Sequence, residues 1–179
     1  MFDPAPHAAR ISVPLPAELR ADAAELLPLI APPGGEPART MAVLARQPDL
    51  LSPFLGWAAA LAINGVLPHR DHELLALRAA WNCGSEFEWV EHAGYARRAG
   101  LTDDEIALVA RPITAGAWTR AERALLAAAD ELHRDHDVGD ATWSVLTEHY
   151  DAPALVEILF VVGQYTMLSM VANAAGIPA

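Results

Sequence analysis

Apolar residues recur at three- and four-residue intervals through most of the chain. No stretch sustains the strict alternation of a half-buried strand. The pattern therefore predicts an all-α protein of about eight helices. Residues 1–16 read as an extended arm. Residues 17–31 form a short helix stopped by Pro32-Pro33-Gly34-Gly35, and a second runs over 37–47. A third begins at Pro48, a favoured first-turn residue, and ends near Gly65. Beyond Pro68, helices are expected over 68–83 and 85–99, with Gly100 as a stop. Thr102 with Glu105, and Thr119 with Glu122, have capping-box spacing and open two more, one ending before Pro112 and one near residue 133. Asp140 is placed to cap a helix over 140–150. Asp151 starts a long apolar one that Gly176 closes.

That last segment, ALVEILFVVGQYTMLSMVA, is about as long as a bilayer span. Glu157 and Gln164 interrupt it and no basic flank follows, so it reads as a buried core or subunit-interface helix. No membrane association is expected. The N-terminus lacks an apolar core of signal-peptide length, which points to the cytoplasm.

Composition then narrows the chemistry. The 179 residues suggest one globular unit that needs no metal or disulfide to hold its core. The net charge of -11 argues against nucleic acid as a partner. All 12 basic residues are arginine, so a lysine Schiff base is excluded. The single cysteine, Cys83, excludes an intrachain disulfide and a cysteine-rich zinc site. Eleven of the 14 prolines lie at or before Pro68, marking an angular N-terminal part.

Reactive side chains concentrate in residues 69–92, HRDHELLALRAAWNCGSEFEWVEH. Glu88 and His92 are four apart and share a helix face. A carboxylate there can orient an imidazole and raise its pKa, as a general acid/base pair requires. The same spacing is also common on solvated helix surfaces. Glu73 shares its face with Leu77 and Ala80, so it is expected to point inward. The HRDH repeats at 69–72 and 133–136 read as solvated helix ends rather than metal sites. Cys83 precedes a helix start, where a thiolate would be stabilised, but it has no second cysteine to resolve it. Residues 68–80 also echo residues 119–130, with Glu73 falling opposite Ala124. The echo puts any chemistry in the first copy.

The segment RDHELLALRAAWNCGSEFEWVEHAGYARRAGLTDDEI resembles the carboxymuconolactone decarboxylase family, within the alkyl hydroperoxidase D-like superfamily. The match is Arg70, Glu73, Leu74, Arg78, Glu86, Phe87, Glu88, Trp89, His92, Ala96, Gly100, Leu101 and Glu105. The two cysteine positions of the peroxidase signature fall on Ser85 and Glu88, so the redox pair is missing. The resemblance implies an alkyl hydroperoxidase D-like helical fold around a core two-helix hairpin. It divides the chain into an N-terminal arm and short helix, 1–36, and the family-like domain, 37–179. It implies a homo-oligomer (dimer, trimer or hexamer) and a cofactor-independent, decarboxylase-like lyase. The small-molecule substrate would be a cyclic or enolisable carboxylic acid or lactone. His92 would donate the proton, Glu88 orient it, and Glu73 act as a second acid/base group. Arg78, or another arginine from a neighbouring subunit, would hold the substrate carboxylate, and Trp81, Trp89 and Tyr95 would line the pocket. No metal and no cofactor is expected. The alternatives are a peroxidase-related protein using Cys83 and a non-catalytic oligomeric binding protein.

Overall fold

A computed structural model describes residues 8–31 and 35–179. Among these the chain forms nine α-helices. They are α1 (Ala21–Leu26), α2 (Arg39–Leu44), α3 (Pro48–Ala62), α4 (His69–Asn82), α5 (Glu86–Arg98), α6 (Asp103–Val109), α7 (Arg120–Asp135), α8 (Asp140–His149) and α9 (Ala152–Ala175). Three short 3-10 segments complete the order, at Pro16–Glu18, Leu27–Ile30 and Ile113–Ala115.

The caps follow the sequence signals with one exception. Thr102 and Thr119 each accept from the backbone N–H three residues on, and Glu105 and Glu122 reach back to complete both boxes. Asp151 accepts from the Ala154 N–H at the start of α9. Gly176 ends that helix at φ 70°, in the left-handed region that a side chain strains. The exception is Asp140. It is the first residue of α8, and Gly139 occupies the cap without a side-chain bond. The expected single helix over 17–31 is also broken. Pro28 has no N–H to donate, and the chain tightens into a 3-10 turn around it. The expected turn at 32–34 and the first seven residues of the arm lie outside the described residues. The rest of the arm is tied to the end of α9, where Arg10 and Ile11 N–H donate to the Ala175 carbonyl at 2.8 and 3.1 Å.

The α4 helix is the axis of the molecule. Every residue from His72 to Ala80 is buried. On one side Leu75, Ala76 and Ala79 pack with Leu125 and Ala128 of α7 and with Ile158 and Val161 of α9. On the other, Leu74 and Leu77 pack with Ala93 and Ala96 of α5, Ile106 and Val109 of α6, and Leu126. Each fully buried leucine contributes about 1.5–3 kcal/mol. The α4–α5 hairpin is thus clamped between α6, α7 and α9. A smaller cluster joins Ala23 and Leu27 to Ala42, Ala45 and Leu51, laying the N-terminal segment over α2 and α3.

The long α9 helix is long and apolar enough to cross a membrane by length and composition. Here it packs as a core helix against α4. Its inward face includes Glu157 and Gln164, both buried. Glu157 accepts from the Val66 and Leu67 N–H groups at 2.6 and 3.2 Å. A carboxylate in an apolar run therefore satisfies the backbone of the loop that leads into α4.

Candidate functional site

A helix buried on all sides must find partners for its polar side chains. The α4 helix carries three, and each is matched to a different neighbour. Arg78 faces α7. Its guanidinium grips both oxygens of Asp130, at 2.6 and 2.7 Å, and its remaining N–H groups donate to the carbonyls of Val109 and Arg111. His72 faces α9, with Nε2 2.8 Å from the Tyr165 hydroxyl. Glu73 faces α5, with Oε2 2.8 Å from His92 Nδ1.

The last pair is the centre of the site. A carboxylate oxygen only accepts, so the proton sits on Nδ1 and leaves His92 Nε2 free for other work. Glu88, one turn earlier on α5, places Oε2 3.8 Å from that Nε2. The imidazole is therefore held between two carboxyl groups. Glu73, rather than the (i, i+4) partner Glu88, makes the orienting hydrogen bond. Glu88 and His92 are 3% and 7% exposed. Burial pushes the Glu88 carboxyl up to about 7, with the His92 charge opposing and Glu91 adding to it. Glu88 Oε1 has no hydrogen-bond partner among the described residues.

Glu73, Glu88 and His92 all line one cavity of about 550 Å³. Its apolar wall comes from α3, through Phe54, Leu55, Ala58 and Ala59, with Met41 of α2 and Leu168 of α9. Tyr95 also lines it, as the sequence predicts. Tyr165 closes the inner wall, its ring 4.2 Å from that of His92 and nearly perpendicular. Burial, with the Glu73 and Glu88 charges behind it, pushes the Tyr165 phenol far above its ordinary value. Burial likewise lowers the His72 pKa. A neutral His72 and a protonated Tyr165 form a stable hydrogen-bonded pair behind the His92 ring.

Four expectations need correction. Arg78 does not reach the cavity. Its fork is committed to Asp130 and two carbonyls in the contact with α7 and α6. Trp81 and Trp89 do not line the cavity either. They lie 5.9 Å apart, centroid to centroid, against each other. Cys83 does precede α5, which Ser85 caps, but its thiolate is not favoured there. Burial raises the Cys83 thiol above its ordinary value, and the cavity does not include it. His72, expected at a solvated helix end, is buried.

Arg98, Gln164 and Tyr165 are cavity residues that the spacing argument missed. Arg98 stacks its guanidinium over Tyr95, with Cζ 4.4 Å from the ring centroid, at the exposed edge. Gln164 stands out in an otherwise apolar helix, and that interruption was the available signal. Among the described residues no group of three His, Cys, Asp or Glu side chains has the spacing to hold a metal.

Three comparisons bear on this arrangement. The model of the carboxymuconolactone decarboxylase family matches residues 48–131, which span α3 to α7. No curated protein matches the chain. The solved alkylhydroperoxidase AhpD core of an uncharacterised peroxidase-related protein from Ralstonia eutropha JMP134 superposes with a TM-score of 0.82. It shares 22% identity, over 97% of this chain and 94% of its own. An uncharacterised peroxidase-related protein from Silicibacter sp. TM1040 gives a TM-score of 0.81 and 16% identity, over 94% and 90% of the two chains. A protein of unknown function from Agrobacterium tumefaciens gives 0.67 and 23%, over 73% and 90%. These likenesses fix the fold around the cavity.

Proposed function

We propose, from the match of residues 48–131 to the carboxymuconolactone decarboxylase family and from the alkylhydroperoxidase D-like fold, a cofactor-independent acid/base enzyme acting on an enolisable carbonyl compound or lactone. The observation that carries this reading is His92 held between Glu73 at 2.8 Å and Glu88 at 3.8 Å on the wall of an apolar cavity. His92 Nε2 takes a proton from the carbon beside the carbonyl and returns one to it. Glu88, its carboxyl raised to about 7, gives a proton to the enolate oxygen and recovers it. Glu73 positions the imidazole and stabilises its charged form, as a carboxylate does behind a catalytic histidine. The apolar wall from α3 keeps water from the enolate.

Decarboxylation of a substrate acid asks in addition for an anion anchor. With Arg78 committed to Asp130, Arg98 at the cavity edge is the arginine placed to serve. A dithiol peroxidase step asks for two sulfurs, and the chain has one, so the proposal rests on the acid/base cluster. The same reading includes assembly of copies of the chain through the outer face of α9.

Deuterium exchange into cyclohexanone and γ-butyrolactone, followed by proton NMR, tests the proposal without knowledge of the natural substrate. Wild-type protein is expected to accelerate exchange, and His92→Asn and Glu88→Gln to lose about 10²-fold or more of that rate. Exchange that survives both substitutions would rule the reading out.

A further inference from the structure

Two residues that line the cavity each carry a buried oxygen that the fold leaves without a partner. Glu88 Oε1 comes from α5 and Gln164 Oε1 from α9, and neither has a hydrogen bond among the described residues. Both side chains are at least nine-tenths buried and both line the cavity. An orphaned buried acceptor costs about 1–3 kcal/mol, so a folded site that carries two is built for a ligand that supplies the missing donors.

The Gln164 side chain narrows that ligand. Gln164 sits beside the Tyr165 phenol on α9, and its side chain partly offsets the rise of that phenol. The phenol oxygen lies 2.8 Å from His72 Nε2. Gln164 lines the cavity with its carbonyl oxygen buried and unpartnered, and an amide carbonyl can only accept. Glu88 is ambivalent: its carboxyl accepts when ionised and donates when protonated. A hydroxyl group matches both, giving its hydrogen to Gln164 and meeting Glu88 in either state.

The charges of the cavity point the same way. Three carboxyl groups line it, from Glu73, Glu88 and Glu91. The one arginine among the lining residues, Arg98, stands at the exposed edge on the face of Tyr95. A substrate carboxylate drawn inside would lose its water beside like charges. The walls are otherwise apolar, and 550 Å³ accommodates a small ring with alkyl substituents.

We infer that this cavity selects an uncharged, apolar-bodied substrate bearing a hydroxyl or enol group, which Gln164 Oε1 and Glu88 recognise. The inference rests on the acid/base reading of the same site and names its substrate class. It also gives Gln164 a recognition role independent of proton transfer.

Calorimetric titration with three probes of one shape tests it: 4-tert-butylcyclohexanol, 4-tert-butylcyclohexanone and 4-tert-butylcyclohexanecarboxylate at pH 8. The alcohol is expected to bind at least ten-fold more tightly than either of the others. Gln164→Leu is expected to erase that advantage while leaving the ketone unchanged. Unchanged ketone binding, with a circular dichroism spectrum matching wild type, shows that Gln164→Leu is folded and that the loss is specific to the hydroxyl. Equal binding of the three probes, or no binding of the alcohol up to its solubility limit, overturns the inference. So does tightest binding by the carboxylate with a ten-fold loss in Arg98→Ala. None of these readings involves turnover. Deuterium exchange that persists without alcohol preference would refute the inference and spare the acid/base reading. Alcohol preference without exchange would do the reverse.

Discussion

At the residue scale, the site is a matter of which carboxyl takes which nitrogen. The sequence paired Glu88 with His92 because both lie on one helix face. The structure puts Glu73 on Nδ1, across the hairpin, and leaves Glu88 near Nε2. A spacing rule sees partners within a helix and cannot see one 19 residues away on another. Arg78 fails to reach the cavity for the same reason, since its partner Asp130 lies 52 residues on. Inward placement of Glu73 was legible, because its helix neighbours Leu77 and Ala80 are apolar. Glu88 has a measurable thermodynamic consequence. Its carboxyl titrates at about 7 in the folded protein and near the ordinary 4.5 in the unfolded chain. Between those values the folded protein keeps a proton that the unfolded chain has released. Glu88 therefore weakens the fold as pH rises through this window, and the loss is complete above the folded pKa. Urea denaturation at pH 4.5, 6 and 8 is expected to show Glu88→Gln gaining on wild type by on the order of 2–3 kcal/mol across the series.

At the element scale, helix starts were the most legible features. The boxes at Thr102 and Thr119 and the Asp151 cap are local devices written in three or four consecutive residues. The N-terminal helices were less so, because Pro28 sits where the apolar period still runs. In α9 the polar residues carry the information. Glu157 satisfies two backbone N–H groups of the turn before α4, and Gly65 leaves it room, since a Cβ there would lie 2.3 Å from Oε1. Glu157→Leu is expected to strand both donors and to cost about 2–4 kcal/mol in chemical denaturation. Cavity residues Gln164 and Tyr165 belong to the same inward face, and a hydropathy reading of α9 merges them into its core.

At the scale of the whole molecule, α4 distributes three polar contacts to three helices and the cavity opens along one of them. The N-terminal part supplies the apolar wall, so the segment before α4 is built into the site as well as into the fold. The outer face of α9 exposes Val156, Phe160, Met167 and Met170, one stripe at helical spacing, with Trp57 packed edge-on to Phe160. Apolar stripes of that kind mark association surfaces. Light scattering on the intact protein is expected to give an oligomer, and Phe160→Glu with Met167→Glu is expected to yield monomers. A wild-type monomer would remove α9 as an assembly face.

At all three scales Glu88 and His92 act as one acid/base pair on the wall of a largely apolar cavity. Carbon-13 NMR titration of the Glu88 carboxyl in labelled protein tests it most directly. A midpoint near 7 is expected, moving upward in His92→Asn, because the imidazole charge holds it down. A midpoint in the ordinary carboxylate range, indifferent to His92, would contradict the account.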